Sequence, residues 1–504
     1  MTTSALQPNL DPQALATALG ARHVIDGVLT PSRGGQGLPV FNPATLALIA
    51  NAAAGGAADV DAAVGAAKRA AKGWASVKAR DRGKAVSACG ALLAQHSEEL
   101  ALLTALETGK AIRTESRVEA GVLADVFVYF GGLASELTGE TIPFAPDVLT
   151  FTLREPVGVV GAIIPWNAPL LLMALKVAPA LVAGNTIVVK ASEEAPFGVL
   201  RVAQLMQQLL PAGVFNLIVG DGPGCGAALS AHPDIAKLTF TGSVGAGRSV
   251  YLAAAEKLVP VTLELGGKSP MIVMADADLA KAAAGAVGGM RFTRQGQSCT
   301  AASRMFVHRS IHDAFVEAVC AAVDAMVMGD PMDEATDIGT IISQRQFDRV
   351  QSYIALGQGL CAENPGAKAH ACSALPTDPA FAKGLFVRPV IFTGLGNDTR
   401  LAKEEIFGPV TMVIPFDTYE EALAMANDSE YGLGATIWTR DLGVAMDAVH
   451  RLEAGFVQVN QNTVVQPMLS YGGVKTSGLG KEASLASMLA HYTHKKTVLI
   501  NMAR

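Results

Sequence analysis

The sequence predicts an α/β protein, with a doubly wound parallel-sheet unit followed by a second α/β domain. Three observations carry this expectation. Short apolar runs alternate with helix-like stretches: GVVGAII (158–164), TIVV (186–189), VFNLIV (214–219), KLTF (237–240) and PVTLEL (260–265), with helical segments such as 196–210 and 245–257 between them. Runs of Val, Ile and Leu without polar alternation mark strands buried on both faces, as in a parallel sheet covered by crossover helices. A second alternating series begins near Met271 and ends at about Asn460. Half of the 504 residues are hydrophobic and 17% are charged, enough apolar surface for a large core.

At roughly 150 residues per domain the length suggests about three structural units. Residues 59–137 read as helices, with Asp59 as N-cap of VDAAVGAAKRAAKGWA and Thr114 as N-cap of ESRVEAGVLADVFVYF. Residues 147–155 (DVLTFTLRE) alternate like an exposed strand. Residues 170–189 (LLLMALKVAPALVAGNTIVV) have the length of a membrane span. Lys176, Pro179 and the Gly184-Asn185 pair divide them instead into a buried helix, a turn and a strand. The tail KKTVLINM (495–502) reads as a strand after a helix. Such a strand needs a partner in its own chain or in another subunit. There is no internal repeat and no low-complexity linker.

The net charge of −6, with no run of Lys or Arg, argues against nucleic acid or an anionic membrane as partner. The first residues, MTTSALQPNLDPQAL, lack a basic segment followed by an apolar one, so no secretory signal is expected. Six scattered cysteines (89, 225, 299, 320, 361 and 372) suggest neither a disulfide framework nor a zinc site. The default is a cytoplasmic, reduced protein without a metal.

Several residues carry possible chemistry. Cys299 lies in RFTRQGQSCTAASR, flanked by polar and small residues rather than by the apolar periodicity of a core thiol. It reads either as a nucleophile, since a thiolate attacks carbonyls and its thioester hydrolyses readily, or as an inert buried thiol. Glu264, in PVTLELGGKSP, ends a strand where open α/β sheets bind ligands. It reads as a general base or as a partner of Lys268. Asn167, in IIPWNAPL, reads as an oxyanion donor or as a turn residue. Two glycine loops, VGDGPGCG (219–226) and FTGSVGAG (240–247), each precede a helix and offer amides to a phosphate, although tight turns explain both.

Taken together, PWNAPL, VVKASEEAP, FTGSVGAG, LELGGKSP, GQSCTAASR, EEIFGPV and GGVKTSGLGKE resemble the aldehyde dehydrogenase superfamily, in its order and approximate spacing, from about Val40 to the C-terminus. The resemblance implies that Cys299 is the nucleophile. Asn167 and the Cys299 backbone N–H then form the oxyanion hole, and Glu264 activates the deacylating water. Lys176 and Glu482 match a pair near the active site, either a proton relay or a structural ion pair. For the cofactor, Lys190 and Glu193 match the residues that hold the adenosine ribose, with Glu193 favouring NAD over NADP. Gly242 and Ser243 match the pyrophosphate loop, which makes the loop at 219 a decoy. Glu405 and Phe407 match the contacts to the nicotinamide ribose and ring. Ile164, Pro165, Trp166, Ser192 and Leu265 complete the expected NAD contacts.

The resemblance also implies an NAD-binding domain (1–132 and 155–266), a catalytic domain (267–483) and a small β arm for oligomerisation (133–154 and 484–504), hence a homodimer or homotetramer. Ala168, Leu172, Leu175, Thr293, Ser298, Thr300 and Tyr471 align with the substrate tunnel. Mostly small or apolar, they suggest a fairly wide tunnel for a medium-chain aliphatic or aromatic aldehyde. Arg294, the one nearby cation, is expected to face away. Alternatives are a coenzyme-A-acylating relative, a semialdehyde dehydrogenase, a non-catalytic member and a reductase acting on an activated acid. Glu264 argues against the first, and the intact set of Cys299, Glu264 and Asn167 against the non-catalytic one.

Overall fold

The computed structural model describes residues 10–35, 37–462 and 466–503. The expectation about a leader at the very start therefore falls partly outside the described residues. Each of the five apolar runs between 158 and 265 is a strand: Val159–Ile163, Thr186–Ala191, Phe215–Val219, Lys237–Thr241 and Val261–Glu264. They pair in parallel at the centre of an eight-stranded sheet. The hairpin Arg22–Ile25/Val28–Pro31 adds antiparallel strands at one edge and Gly478–Leu479 adds one at the other. The order reverses at Val159–Ile163: two later strands extend the sheet on one side of it and the next two on the other. At such a switch point the carboxyl ends of neighbouring strands diverge and leave a crevice.

The second series forms a seven-stranded sheet in the order 368–371, 390–393, 410–416, 304–308, 270–273, 434–438 and 456–459. It is parallel throughout except for the first strand. The tail strand Thr493–Asn501 finds its partner within the chain, pairing antiparallel with Val148–Pro156 along its whole length. This ribbon carries exposed apolar side chains, among them Leu149, Leu153, Leu499 and Ile500.

Residues 170–189 form the buried helix, turn and strand expected of them. All fourteen residues of the helix Pro169–Val182 are buried, Lys176 and Pro179 included. The helical stretch Ile112–Glu136 is also long and apolar enough to cross a membrane by composition. It is a core element here: Leu123, Val126, Phe127 and Phe130 are fully buried in the main apolar cluster.

Two caps differ from expectation. Gly56, not Asp59, is the N-cap of Ala57–Ser76, and Asp59 sits one turn in, accepting from the Gly56 N–H at 3.2 Å and the Arg33 N–H at 3.1 Å. An acidic residue satisfies orphan amides from either position, so sequence alone does not separate them. Thr114 caps nothing. It lies in a π-turn, Ile112–Ser116, and donates to the Asp337 carbonyl at 2.9 Å, while the helix proper starts at Arg117. Ties to a distant segment of the chain, including the Ile112 N–H to the Pro331 carbonyl at 2.7 Å, override the local start signal.

The turn after the buried helix depends on Asn185. Its side chain accepts from the Gly158 N–H (3.0 Å) and donates to the carbonyls of Ala180 (3.1 Å) and Tyr492 (2.9 Å), joining sheet, helix and tail. Asn185→Ala removes three hydrogen bonds at this junction and should lower unfolding free energy by about 1–3 kcal/mol. A denaturant midpoint unchanged from the parent would contradict this.

Candidate active site

The switch-point crevice is built from loops at the carboxyl ends of Val159–Ile163, Lys237–Thr241 and Val261–Glu264. After Ile163 the chain turns through Ile164, Pro165, Trp166 and Asn167 before Pro169 begins the buried helix. Asn167 is buried, and its Nδ2 donates to the Gln297 carbonyl at 3.1 Å. Gln297 belongs to the loop between Leu279–Met290 and Arg304–His308 that carries Cys299. The loop has little freedom. The Gln297 side chain donates to the Thr340 carbonyl (3.2 Å) and accepts from the Ile342 N–H (3.1 Å). Gly296 has φ +63° and lies so close to the Gly408 carbonyl that no Cβ fits.

Cys299 Sγ lies 3.4 Å from the Tyr471 hydroxyl. Burial pushes its thiol up to about 11, with the Tyr471 contact acting in the opposite direction. Glu264 is 3% exposed, and neither carboxylate oxygen has a hydrogen-bond partner among the described residues. Burial, then repulsion from Glu482, holds its carboxyl well above the usual range, against the pull of Lys176 and Lys481. The pairing of Glu264 with Lys268 does not form, since Lys268 Nζ is also without a partner. Gly472, at φ +151°, passes within van der Waals distance of Glu264, and a Cβ there would stand 2.5 Å from Oε1. Lys176 Nζ and Glu482 Oε1 form a buried ion pair at 2.6 Å, and the Thr239 hydroxyl donates to the same oxygen at 3.1 Å.

Two hollows meet at Asn167, Leu172 and Cys299. The larger, of about 590 Å³, is walled by Pro165, Trp166, Gly242, Ser243, Leu265, Glu405 and Phe407. This is a typical size for a small-molecule or cofactor site. Trp166 and Phe407 meet edge to face at 5.4 Å, with Phe407 in the left-handed region at φ +60°. Glu405 Oε1 accepts from the Gly267 N–H at 2.9 Å. Ser243 caps the helix Val244–Lys257 through the Ala246 N–H, and Gly242 and Ser243, just before that helix, line the cleft. In the loop at 219, Asp221 accepts from Gly224 and Cys225, so its own side chain takes up the amides a phosphate would need. Ile164 is buried in the core, outside the cleft wall. Lys190 and Glu193 form an ion pair at 3.4 Å, and the Ser192 hydroxyl accepts from the Glu194 N–H, all at the end of the neighbouring strand.

The sequence reading missed the far wall of the cleft. Ser343, Arg345, Gln346 and Arg349 line it from the start of the helix Gln344–Glu363. Gln346 Nε2 donates to the Phe407 carbonyl at 2.8 Å, and Arg345 pairs with Glu194 at 3.2 Å. That helix has an ordinary amphipathic pattern, and nothing in it signals a ligand.

The smaller hollow, about 60 Å³, is lined by Ala168, Leu172, Ser298, Thr300 and Tyr471, and also by Val118, Val122 and Leu171. It is small, where the sequence suggested a wide tunnel, and Val118 and Val122 of the helix Arg117–Gly132 stand on one side of it. Leu175 does not line it and is packed in the core. Thr293 does not line it either, and its hydroxyl donates to Glu115. Arg294 does line it, contrary to expectation, but its guanidinium is paired to Glu115. Residues 463–465 of the adjoining loop lie outside the described residues.

Residues 29–498 match the aldehyde dehydrogenase family. Among solved structures, the chain is similar to an aldehyde dehydrogenase from Bacillus cereus in complex with NAD+ (37% identity, TM-score 0.93, covering 98% of this chain and 99% of that one). It is similar to PnpE from Pseudomonas sp. WBC-3 (39%, 0.91, 96% and 98%). It is also similar to a betaine aldehyde dehydrogenase from Staphylococcus aureus in complex with NAD+ (34%, 0.92, 98% and 97%). The switch-point cleft, the match along most of the chain and the NAD+-bound relatives lead to one conclusion: this chain belongs to the aldehyde dehydrogenase family and is an NAD-dependent enzyme.

Proposed function

We propose that the enzyme oxidises a medium-chain aliphatic or aromatic aldehyde to its carboxylic acid through a covalent intermediate on Cys299. The observation that carries this reading is the meeting of cleft and channel at Cys299 and Asn167, beside a buried carboxylate with no partner. An aldehyde entering through the channel brings its carbonyl carbon to Cys299 Sγ. The thiol gives its proton to solvent water, and the thiolate forms the C–S bond as the carbonyl π bond opens onto oxygen, giving a thiohemiacetal oxyanion. Asn167 Nδ2 and the Cys299 N–H donate to the oxyanion. NAD, when bound, supplies the acceptor for the hydride that leaves the former carbonyl carbon, and a thioester remains on Cys299. Glu264, once its own proton has passed to solvent, takes a proton from water, the hydroxide equivalent attacks the thioester, and the C–S bond breaks to release the acid and the thiolate.

The cleft suits NAD on its own features. Gly242 and Ser243 line the cleft at the N-terminus of Val244–Lys257, where a pyrophosphate is favoured, and the Trp166–Phe407 pair provides an apolar wall for a ring. Lys190 and Glu193 are the candidates for the adenosine ribose, with Glu193 repelling a 2′-phosphate. The Lys176–Glu482 pair is compatible with a proton relay, since Glu482 Oε2 has no partner, and also with a purely structural ion pair. The mostly apolar lining of the hollow, with Arg294 neutralised by Glu115, favours an uncharged substrate. Arg294 is the observation in favour of a semialdehyde, and its pairing with Glu115 counts against that alternative. Glu264 counts against acyl transfer to coenzyme A. The apolar ribbon of the arm supports a homodimer or homotetramer, and six cysteines outside any disulfide fit a cytoplasmic location.

Cys299→Ala should abolish NADH formation while leaving NAD affinity unchanged. Alkylation of the parent apoenzyme by iodoacetamide should still climb with each pH step up to 9, as expected for a thiol near 11. A plateau below pH 8 would contradict a neutral resting thiol.

Glu264→Gln should give a burst of NADH followed by slow turnover. Because the folded carboxyl is raised, the native state keeps a proton that the unfolded chain gives up near about pH 4.3. Parent stability therefore falls as pH rises from there towards the folded value. The melting temperature of Glu264→Gln relative to the parent should accordingly improve between pH 5 and pH 8, and a difference independent of pH would overturn the raised carboxyl.

Glu193→Gln should narrow the preference for NAD over NADP by roughly tenfold, about 1.4 kcal/mol. Unchanged kcat/KM ratios for the two cofactors would remove Glu193 from the ribose site.

A further inference from the structure

Three charged residues that the reaction does not use lie buried within ten positions of one another: Lys110, Glu115 and Glu119. Buried ion pairs are weak devices for stability, because desolvation offsets the attraction and apolar side chains of similar volume often serve as well. Their hydrogen bonds explain what they do. Glu119 Oε1 accepts from the N–H groups of Leu170 (2.9 Å) and Leu171 (3.3 Å), the first amides of the buried helix. Ala168, at the N-cap of that helix, has no side chain for the task. Glu119 Oε2 accepts from Lys110 Nζ, and the same Nζ donates to the main-chain carbonyl of Asn167 at 3.0 Å. The Asn167 carbonyl and the helix turn that follows it are therefore both anchored, and with them the backbone from which Nδ2 reaches the Gln297 carbonyl.

Glu115 acts on the opposite wall. Its carboxylate accepts from the Thr293 hydroxyl and from Arg294, through Nε at 2.8 Å and Nη2 at 2.5 Å. Thr293 and Arg294 form the short turn that runs into the loop of Gln295–Cys299. The two walls touch where Asn167 Nδ2 donates to the Gln297 carbonyl.

We propose that Lys110 and Glu119 are positioning residues that aim Asn167 at the oxyanion, while Glu115 holds the Cys299 loop at the matching distance. The inference rests on the reading of Asn167 as the oxyanion donor. One short segment thereby sets the spacing between nucleophile and donor, which come from different domains.

The test is single-turnover NADH formation at saturating NAD, comparing Glu119→Gln in the parent and in an Asn167→Ala background. A misplaced reacting group loses rate by roughly ten- to a hundredfold, and a loss of that size is expected in the parent. In the Asn167→Ala background, where no donor remains to be aimed, the same change should cost less than about twofold, because the two residues act as one unit. Lys110→Arg, which keeps the charge but moves the donor to Asn167, should show the same dependence on background. It serves as the readout if Glu119→Gln does not fold, with NAD binding as the check on folding. Equal losses in both backgrounds, or no loss in the parent, would overturn the positioning role. If Asn167→Ala alone leaves the rate unchanged, the oxyanion reading falls and takes this inference with it.

Discussion

A helix with no face towards water must have all its orphan groups satisfied from elsewhere, and much of this structure follows from that constraint. Pro169–Val182 is such a helix. Its first amides are taken by Glu119 from another helix. Its last carbonyls are taken by Asn185, by Trp74 Nε1 on Leu181 at 3.0 Å, and by Arg82 Nε on Val182 at 3.0 Å. The lysine in its interior is matched by Glu482, more than 300 residues away in sequence. Side chains from at least four segments converge on one helix because an unpaired buried backbone group costs more than ordering a distant partner.

The site takes advantage of this rigidity. The helix starts two residues after Asn167, so whatever fixes its first turn also fixes the loop facing Cys299. Against that background Glu264 is an exception, a buried carboxylate that nothing holds. Its protonated form is favoured by burial, as is the protonated form of Cys299. Both groups therefore rest close to neutral, and on the proposed mechanism the charge develops only as substrate and water are engaged.

The sheets were legible in the sequence because a strand buried on both faces is apolar at every position, as VVGAI and FNLIV are. The crevice was legible because strand ends in such sheets collect function. The rest depended on contacts that sequence does not reveal. Leu175 was misjudged because a helix buried all round has no periodic face to read. The wall of the channel includes Val118 and Val122, far from Cys299 in the chain. The cap at Thr114 failed because a tertiary hydrogen bond to residue 337 won over local preference. Lys110, Glu115 and Glu119 resemble the charges of any surface helix, and their burial appears only once a third element covers them.

The β ribbon of the arm has a consequence for how this protein is made. The strand Val148–Pro156 waits for Thr493–Asn501, and the pair Glu155–Lys496 spans 341 residues. At typical rates of synthesis the wait is roughly 20–70 s. Throughout that interval the nascent chain carries an open edge flanked by Leu149 and Leu153, the kind of edge that recruits other strands. Protection of the growing chain by a holdase matters most between the emergence of residue 156 and the arrival of the tail.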